Sequence, residues 1–516
     1  MWRKRHRAGR ETHGSVGAEL ATEAYKGDRN RRGLSWESEG FIVPLESLGQ
    51  HNPARGKGPY FVHVCRRVED QGIAMALSTP TTIRTLQRKL SWKAKAESGF
   101  RFYALYDKVC QADMLSHAYA LVRANRGACG IDGRTWAAID AEEGKEAFLR
   151  KLQAELTSKR YRASAVRRVW IPKPNGSHRP LGIPTIKDRV VQMAVKLVIE
   201  PIFEADFCET SYGFRPHRSA HDAADAVAEA LRAGYGEVID ADLSQYFETI
   251  PHAKLMEVVA ERIADGAVLA LIQQWLKAPV VEEDRRGTTR RSGGKGQRRG
   301  TPQGGVISPL LANRYLHVLD RTWARPEVGR GLRAKLVRYA DDLVVLCARE
   351  VEPAMTRLRD VLRTLGLSLN EEKTQRVNAW ETSFDFLGFS FGMKQGRTRG
   401  KWYPHVEPSP QSIQRFKARV TQQTTRRLTP IPLPQVVETL NQYVRGWVGY
   451  FHYRNSSPVF GRVKWHLEER LRTHLRKRHK LKSRAAGYTQ FPNQGLYARY
   501  GLFKLPMTAG WKRTYA

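Results

Sequence analysis

Hydrophobic positions first become regular near Ile83, where Ile83, Leu86 and Leu90 fall on one helical face, and a second helical stretch covers Tyr103–Val122. Residues 1–74 are polar, rich in Gly and Arg and only weakly periodic, which predicts a loosely structured extension, and Met75 offers an internal start. Further on the pattern alternates between types. Val169–Pro172 reads as a short strand stopped by the turn Lys173-Pro-Asn-Gly176. Arg189–Ile199 reads as a helix with Val191, Ala194, Val195 and Val198 inward. Val238–Leu243 is a strand, Leu336–Cys347 is two strands around Tyr339-Ala-Asp-Asp342, and Phe384–Phe391 is another strand pair. Helices mixed with hairpins predict an α+β fold built on an antiparallel sheet.

From about residue 405 to 482 the pattern is helical again. Ile413, Phe416 and Val420 share a face. Val437, Leu440, Val444, Trp447 and Phe451 form a stripe, and Leu467, Leu471 and Leu475 form another. Three amphipathic helices can bury these stripes against one another and leave their other faces to solvent. Those other faces are basic. Residues 411–516 carry 21 Lys+Arg against 3 Glu, a net +18, half of the +36 carried by all 516 residues. An excess of this size favours a polyanionic partner. Arg285–Gly300 adds 7 basic residues, among them Arg285, Arg286, Arg290 and Arg291, no acid and several glycines, and reads as a basic loop near phosphates. Length allows three or four domains at roughly 100–200 residues each.

Other classes fall away. The five cysteines, Cys65, Cys110, Cys129, Cys208 and Cys347, are too far apart for a zinc knuckle and suit a reducing cytosol. The basic start MWRKRHRAGR has no apolar stretch behind it, so it does not read as a signal peptide, and no run of about 18 apolar residues predicts a membrane span.

Two pieces carry candidate chemistry. The first is Val238-Ile-Asp-Ala-Asp242-Leu-Ser-Gln-Tyr-Phe247, a strand with Asp242 near its end. The second is Arg338-Tyr-Ala-Asp-Asp342-Leu-Val-Val-Leu-Cys347, with two aspartates at a tight turn beside apolar strand formers. Adjacent carboxylates against a buried strand are costly unless a cation neutralises them. An Asx turn between two strands is the plainer alternative. Adding a nucleotide to a strand uses two divalent ions about 3.5–4 Å apart, held by a few carboxylates on rigid backbone. Asp240 competes with Asp242, since strand period puts both on one face; Phe247 five residues on favours Asp242.

At these residues the chain resembles the group II intron reverse transcriptase/maturase family. Tyr339-Ala-Asp-Asp342 is similar to its catalytic box, and Asp242 with Phe247 to its first palm motif. Gly300-Thr-Pro-Gln-Gly-Gly-Val-Ile-Ser-Pro-Leu-Leu311 resembles the next block. Arg179–Pro184 and Ser211–Pro216 resemble fingers blocks, Asn370–Thr374 and Phe386–Phe389 later palm blocks, and Asn125–Gly133 an N-terminal block. These stand in family order from about residue 78 to 395. Asn441–Phe451 resembles the maturase domain, or thumb.

The resemblance implies a right-hand polymerase fold. Fingers would span 75–235, palm 236–400, thumb 401–482 and a basic DNA-contacting tail 483–516. Asp242, Asp341 and Asp342 would be the catalytic metal ligands for two magnesium ions, with manganese able to substitute. Lys173, Arg179, Phe247, Gln303 and Lys373 would meet the incoming nucleotide, Phe247 by excluding a 2′ hydroxyl. Arg445, Arg476, Lys477, Arg478, Lys482 and Arg484 would meet nucleic acid, while Trp447 and Phe451, on the apolar stripe, are core. The implied protein is an RNA-directed DNA polymerase that binds its intron RNA, assists splicing and copies the RNA at a DNA target from a primer. Its setting would be the bacterial cytoplasm, as monomer or dimer. Many relatives end in a zinc-dependent endonuclease; with no cysteine after Cys347, none is expected, as in the class C lineages. A splicing-only maturase, or an intron-derived enzyme recruited to another system such as antiphage defence, are the alternative readings.

Overall fold

The computed structural model describes residues 78–172, 178–283, 289–294, 296–396 and 400–510. The expectations for residues 1–74 and for Lys173, Arg285 and Arg286 lie outside the described residues.

The helix Ile186–Asp206 is the hub of the N-terminal half. Thr185 caps it by accepting from the Asp188 N–H, and Val190, Val191, Ala194, Val195 and Val198 are all fully buried. The helix is buried nearly all round, Asp188, Arg189, Gln192 and Lys196 included, and Thr81–Ala96 and Ala112–Ala124 pack against it. The helix expected over Tyr103–Val122 is in fact two, Tyr106–Val109 and Ala112–Ala124. The Asp265 carboxylate takes the N–H groups of Leu105 and Tyr106, each at 2.8 Å, and fixes the first start. Gln111 is extended and opens the second.

Among the described residues eleven strands form three sheets. They are β1 (Val166–Pro172), β2 (His178–Ile183), β3 (Glu237–Ala241), β4 (Pro279–Glu283), β5 (Thr289–Gly293), β6 (Ala334–Tyr339), β7 (Asp342–Cys347), β8 (Gln375–Asn378), β9 (Phe384–Phe386), β10 (Phe389–Gln395) and β11 (Trp402–Pro408). The fingers sheet runs β2-β1-β4-β5, the palm sheet β6-β7-β3-β8, and the third β11-β10-β9.

The palm sheet is antiparallel throughout and separates two cores. Side chains alternate across a strand. Ile239, Ala241, Leu343, Val345 and Cys347 therefore enter the core of the N-terminal helices. Val238, Val337, Val344, Leu346 and Val377 enter the core of the C-terminal helices. The helix Ala220–Arg232 belongs to this second core as well.

Three helices, Pro410–Gln423, Leu433–Phe451 and Ser457–Arg478, bury the expected stripes, including Trp447 and Phe451. The helical region starts later than expected, because residues 402–408 pair with β10 as β11 and Ser409 then caps the first helix. There is no break in the core at residue 482. Phe491, Leu496, Leu502 and Leu505 are buried in it, and Asn441 clasps the returning chain through the Gly501 carbonyl and the Phe503 N–H, each at 2.8 Å. No helix among the described residues is long and apolar enough to cross a membrane.

Candidate active site

Register brings the carboxylates together. β3 pairs with β7 as far as Ala241 opposite Leu343, and one step further sets Asp242 beside Asp342. The β6–β7 hairpin closes over two residues, Ala340 and Asp341, with Tyr339 paired to Asp342. Ala340 adopts a φ of 58°, a left-handed conformation unusual for a residue with a Cβ. Alternation puts Asp240, Asp242 and Asp342 on the face that further along carries Val238, Val344 and Leu346. That face thus passes from apolar, where thumb helices cover it, to acidic at the open end.

Electrostatics follow from the crowding. Asp342 sits deep in the protein mass yet keeps accessible surface, and burial, then Asp341, Asp242 and Asp240, push its carboxyl up to about 7 against the pull of Arg179. Asp341 is raised too, by burial first and with Asp242 adding to it. Asp240 rises to about 6 through burial, Asp242 and Asp385. For Asp240, Asp341 and Asp342 burial is the larger cause, and neighbouring negative charge adds to it. Lys373 also enters the cluster, its Nζ 3.1 Å from Asp242 Oδ2. Its loop is held there by the Asn370 N–H on the Asp242 carbonyl at 2.8 Å.

A buried arginine holds the turn from behind. Arg338, fully buried, donates from Nη1 to the Ala340 carbonyl at 2.8 Å and to Asn313 Oδ1 at 3.0 Å. Its Nε meets Asp320 Oδ1 at 3.0 Å and its Nη2 meets Ser211 Oγ at 2.7 Å. Burial opposes its charge, and the equally buried Asp320 carboxylate more than offsets that. Asn313 in turn donates to the Gly213 carbonyl at 2.6 Å. Gly213 is pressed so close that a Cβ on it would stand 2.4 Å from the Ala340 nitrogen.

The glycine-rich block forms the neighbouring wall. Thr301 N–H bonds the Phe247 carbonyl at 2.7 Å, and Gly300 bonds Ile250 at 2.9 Å. Phe247 is 8% exposed and sits edge-on to Tyr246. The Gln303 carbonyl accepts from the Gly182 N–H at 2.6 Å, stitching β2 to this wall. Gly304, at a φ of 115°, is required there, since a Cβ would stand 2.4 Å from the Gly182 oxygen.

The donor set fits divalent ions. Burial and the neighbouring carboxylates raise the proton affinity of Asp341 and Asp342, a cost that a cation would relieve, and Lys373 already pairs with Asp242 beside them. No three His, Cys, Asp or Glu side chains among the described residues already form a coordination cage. Magnesium does not need one, because it keeps waters and substrate phosphates as most of its ligands.

Comparison with known proteins agrees with this geometry. Residues 171–391 match the model of the reverse transcriptases (RNA-dependent DNA polymerases), and residues 413–491 match the maturase-specific domain of group II introns. Protein YkfC of Escherichia coli is 35% identical over 353 residues, covering 61% of this chain and 90% of YkfC. The chain belongs to the group II intron reverse transcriptase/maturase family. The intron-encoded protein LtrA of Lactococcus lactis is 32% identical over 277 residues, covering 53% of this chain but only 42% of LtrA. Telomerase from Candida albicans, solved with a fragment of telomeric RNA, aligns at 13% identity and a TM-score of 0.37 over 67% of this chain and 65% of that one. The family generally uses divalent metal ions, and the fold is the α+β one expected.

In this reverse transcriptase the structure gathers Asp242, Asp341, Asp342 and Lys373 at one end of the palm sheet, with Arg179 acting on both turn aspartates. Phe247 and the Gln303 backbone line the adjoining wall. Arg290 and Arg291 lie on β5 and are exposed. The thumb residues are remote in the chain and differ in circumstance. Lys477 and Lys482 are exposed. Arg445 is exposed beside Glu438 at 3.8 Å. Arg476 packs on Gly487. Arg478 bonds the Thr429 and Ile431 carbonyls, each at 2.7 Å, and Arg484 pairs with Glu469 at 2.9 Å. Sequence reasoning missed Arg338, Asp320, Asn313 and Ser211. The available signal was charge of opposite sign at apolar-periodic positions, Arg338 inside a strand and Asp320 inside the helix Ser308–Ala324.

Proposed function

We propose that this reverse transcriptase binds a group II intron RNA, helps it fold for splicing, and copies it into DNA at a DNA target, primed by a target 3′ end. The observation that carries the reading is the set Asp242, Asp341 and Asp342 at the open end of the palm sheet, next to a maturase-specific region in the same chain. Its substrates are deoxynucleoside triphosphates, a primer and an RNA template, and its setting is the cytoplasm of a bacterium. The chain divides into fingers at 75–235, joined by β4 and β5, palm over the rest of 236–400, thumb at 401–482 and a basic segment at 483–516 that packs into the thumb core.

Asp242, Asp341 and Asp342 would hold two magnesium ions, with manganese an effective substitute. Bound there, the ions would stabilise the attacking 3′ oxygen and the leaving pyrophosphate. The chain's own residues do the positioning. Arg338 fixes the turn that presents Asp341. Phe247 forms the floor under the sugar and excludes a 2′ hydroxyl, while Gln303, Arg179, Lys173 and Lys373 face the nucleotide and its phosphates. Arg290, Arg291, Arg445, Lys477 and Lys482 contribute to a basic surface for RNA and DNA backbone.

The test is primer extension by the full chain on an RNA template with magnesium, alongside Asp341→Ala. Extension by wild type only, with structured-RNA binding kept in the variant, supports the reading. Tight RNA binding without extension by either protein would leave splicing assistance as the function.

A further inference from the structure

The two faces of the fingers sheet carry different chemistry. In the β1–β2 register Ile171 faces Arg179 and Val169 faces Leu181, so these share one face, with Val169 and Ile171 packed on Ala128, Leu181 and Ile183. This is the face of Arg179, which the proposed function sets toward the nucleotide. The other face carries Arg168 and Trp170 on β1. The parallel β1–β4 pairing adds Glu282, and the β4–β5 pairing adds Arg290 and Ser292.

On this outer face Trp170 is 44% exposed, a large aromatic surface left in water. Its ring is held in place, not loose. The indole Nε1 donates to Glu282 Oε1 at 2.6 Å, and the Arg168 guanidinium lies 5.8 Å from the ring centre. Beside it runs a groove of about 380 Å³ lined by Arg168, Val280, Ser292, Gly293, Gly296 and Gln297. Gly293 and Gly294 have φ of 79° and 93°, and a Cβ at Gly293 would stand 2.3 Å from Gln297 Oε1. The turn therefore keeps its backbone bare at the groove. Gln297 Oε1 has no hydrogen-bond partner among the described residues. The groove offers the Arg168 guanidinium, the Ser292 hydroxyl and bare glycine backbone, with Trp170 and Arg290 on the same face of the sheet.

An exposed, edge-anchored aromatic beside guanidinium groups suits an unpaired base stacked on the ring with its phosphates on the arginines. A duplex cannot use it, because its bases are already stacked on one another. We propose that this groove is a second nucleic-acid site, outside the catalytic cleft, which binds a single strand through a base on Trp170 and phosphates on Arg168 and Arg290. It rests on the chain handling nucleic acid as proposed above, and not on the catalytic aspartates.

The experiment measures fluorescence anisotropy of labelled 12-nucleotide oligo(rU) and oligo(dT) with the full chain, its cleft first filled by a blunt template–primer duplex. The strand is expected to stay bound beside the duplex. Stacking contributes about 1–3 kcal/mol per base, so Trp170→Ala is expected to weaken binding about tenfold and Trp170→Phe to restore most of it. Arg168→Ala is expected to flatten the salt dependence by about one phosphate contact. Tighter binding of oligo(rU) assigns the site to RNA, and equal binding assigns it to either strand chemistry; both support it. Full displacement of the strand by the duplex, or unchanged affinity in Trp170→Ala and Arg168→Ala with melting temperatures intact, overturns the proposal. Primer extension by wild type is scored separately, so failure of the polymerase reading is distinguishable from failure of the groove.

Discussion

Arg338 and Asp320 form an ion pair with no solvent exposure on either side chain, directly behind the Tyr339–Asp342 turn. A buried pair contributes little beyond an apolar replacement, but removing one partner strands the other charge. Here the guanidinium also spends bonds on Ala340, Asn313 and Ser211, so its geometry sets where Asp341 stands. Arg338→Ala is expected to cost about 3–5 kcal/mol of stability. Arg338→Lys keeps the charge but cannot reproduce the planar fork. It is expected to fold and to lose kcat in primer extension with little change in nucleotide KM. A loss confined to KM would contradict a positioning role.

Lys373 and Asp242 make a competing pair at the same site. The ammonium is largely exposed, so the contact adds little stability. Its consequence is for ion binding, since Nζ occupies an oxygen that a divalent ion would use. In Lys373→Ala the magnesium concentration for half-maximal extension is expected to fall, while the KM for deoxynucleotide rises if the lysine meets the triphosphate. A magnesium requirement that increases instead would show that Lys373 helps the ion to bind.

The carboxyl cluster makes stability depend on pH. Asp342 lies near 7 and Asp240 near 6 in the folded chain, both above the 3.8 from which they start. A carboxyl raised by folding holds its proton longer in the folded state, so its contribution to stability falls as pH rises from the unfolded value through the folded one. Between about pH 4 and 7 this cluster therefore opposes folding increasingly. Metal binding must expel those protons. The rise in melting temperature produced by magnesium is expected to be larger at about pH 8 than at about pH 5.5, and this difference is expected to shrink in Asp342→Asn. Equal shifts at both pH values in wild type would contradict the arrangement.

Gly213 and Gly449 offer a contrast in what a methyl group does. At Gly213 it would collide with the Ala340 nitrogen, whereas at Gly449, inside the helix Leu433–Phe451, it meets nothing within 4 Å. Gly213→Ala is expected to shift the turn, abolish most extension and lose about 1–3 kcal/mol, as overpacking does. Gly449→Ala is expected to stabilise by up to about 1 kcal/mol through helix propensity. Thermal melting and extension assays on the two variants compare them directly.

Much of this protein is legible in its sequence because the determining interactions are local. Helical stripes such as Val437 to Phe451 must be buried wherever the helix goes, and they are. A hairpin around Tyr339-Ala-Asp-Asp342 follows from alternation with a two-residue turn, and net charge names the partner's sign. What tertiary structure alone decided is which distant pieces share a face. The helix expected from Tyr103 starts only at Tyr106, where Asp265, far along the chain, captures the Leu105 and Tyr106 N–H groups, and it breaks at the extended Gln111. The basic residues of the thumb look alike in sequence, yet Arg478 and Arg484 bond within the protein while Lys477 and Lys482 face water. Arg338 reads as an ordinary basic residue until the helix carrying Asp320 and Asn313 crosses behind it. Periodicity reports on a residue's own element, and a buried charge is specified by its partner on another.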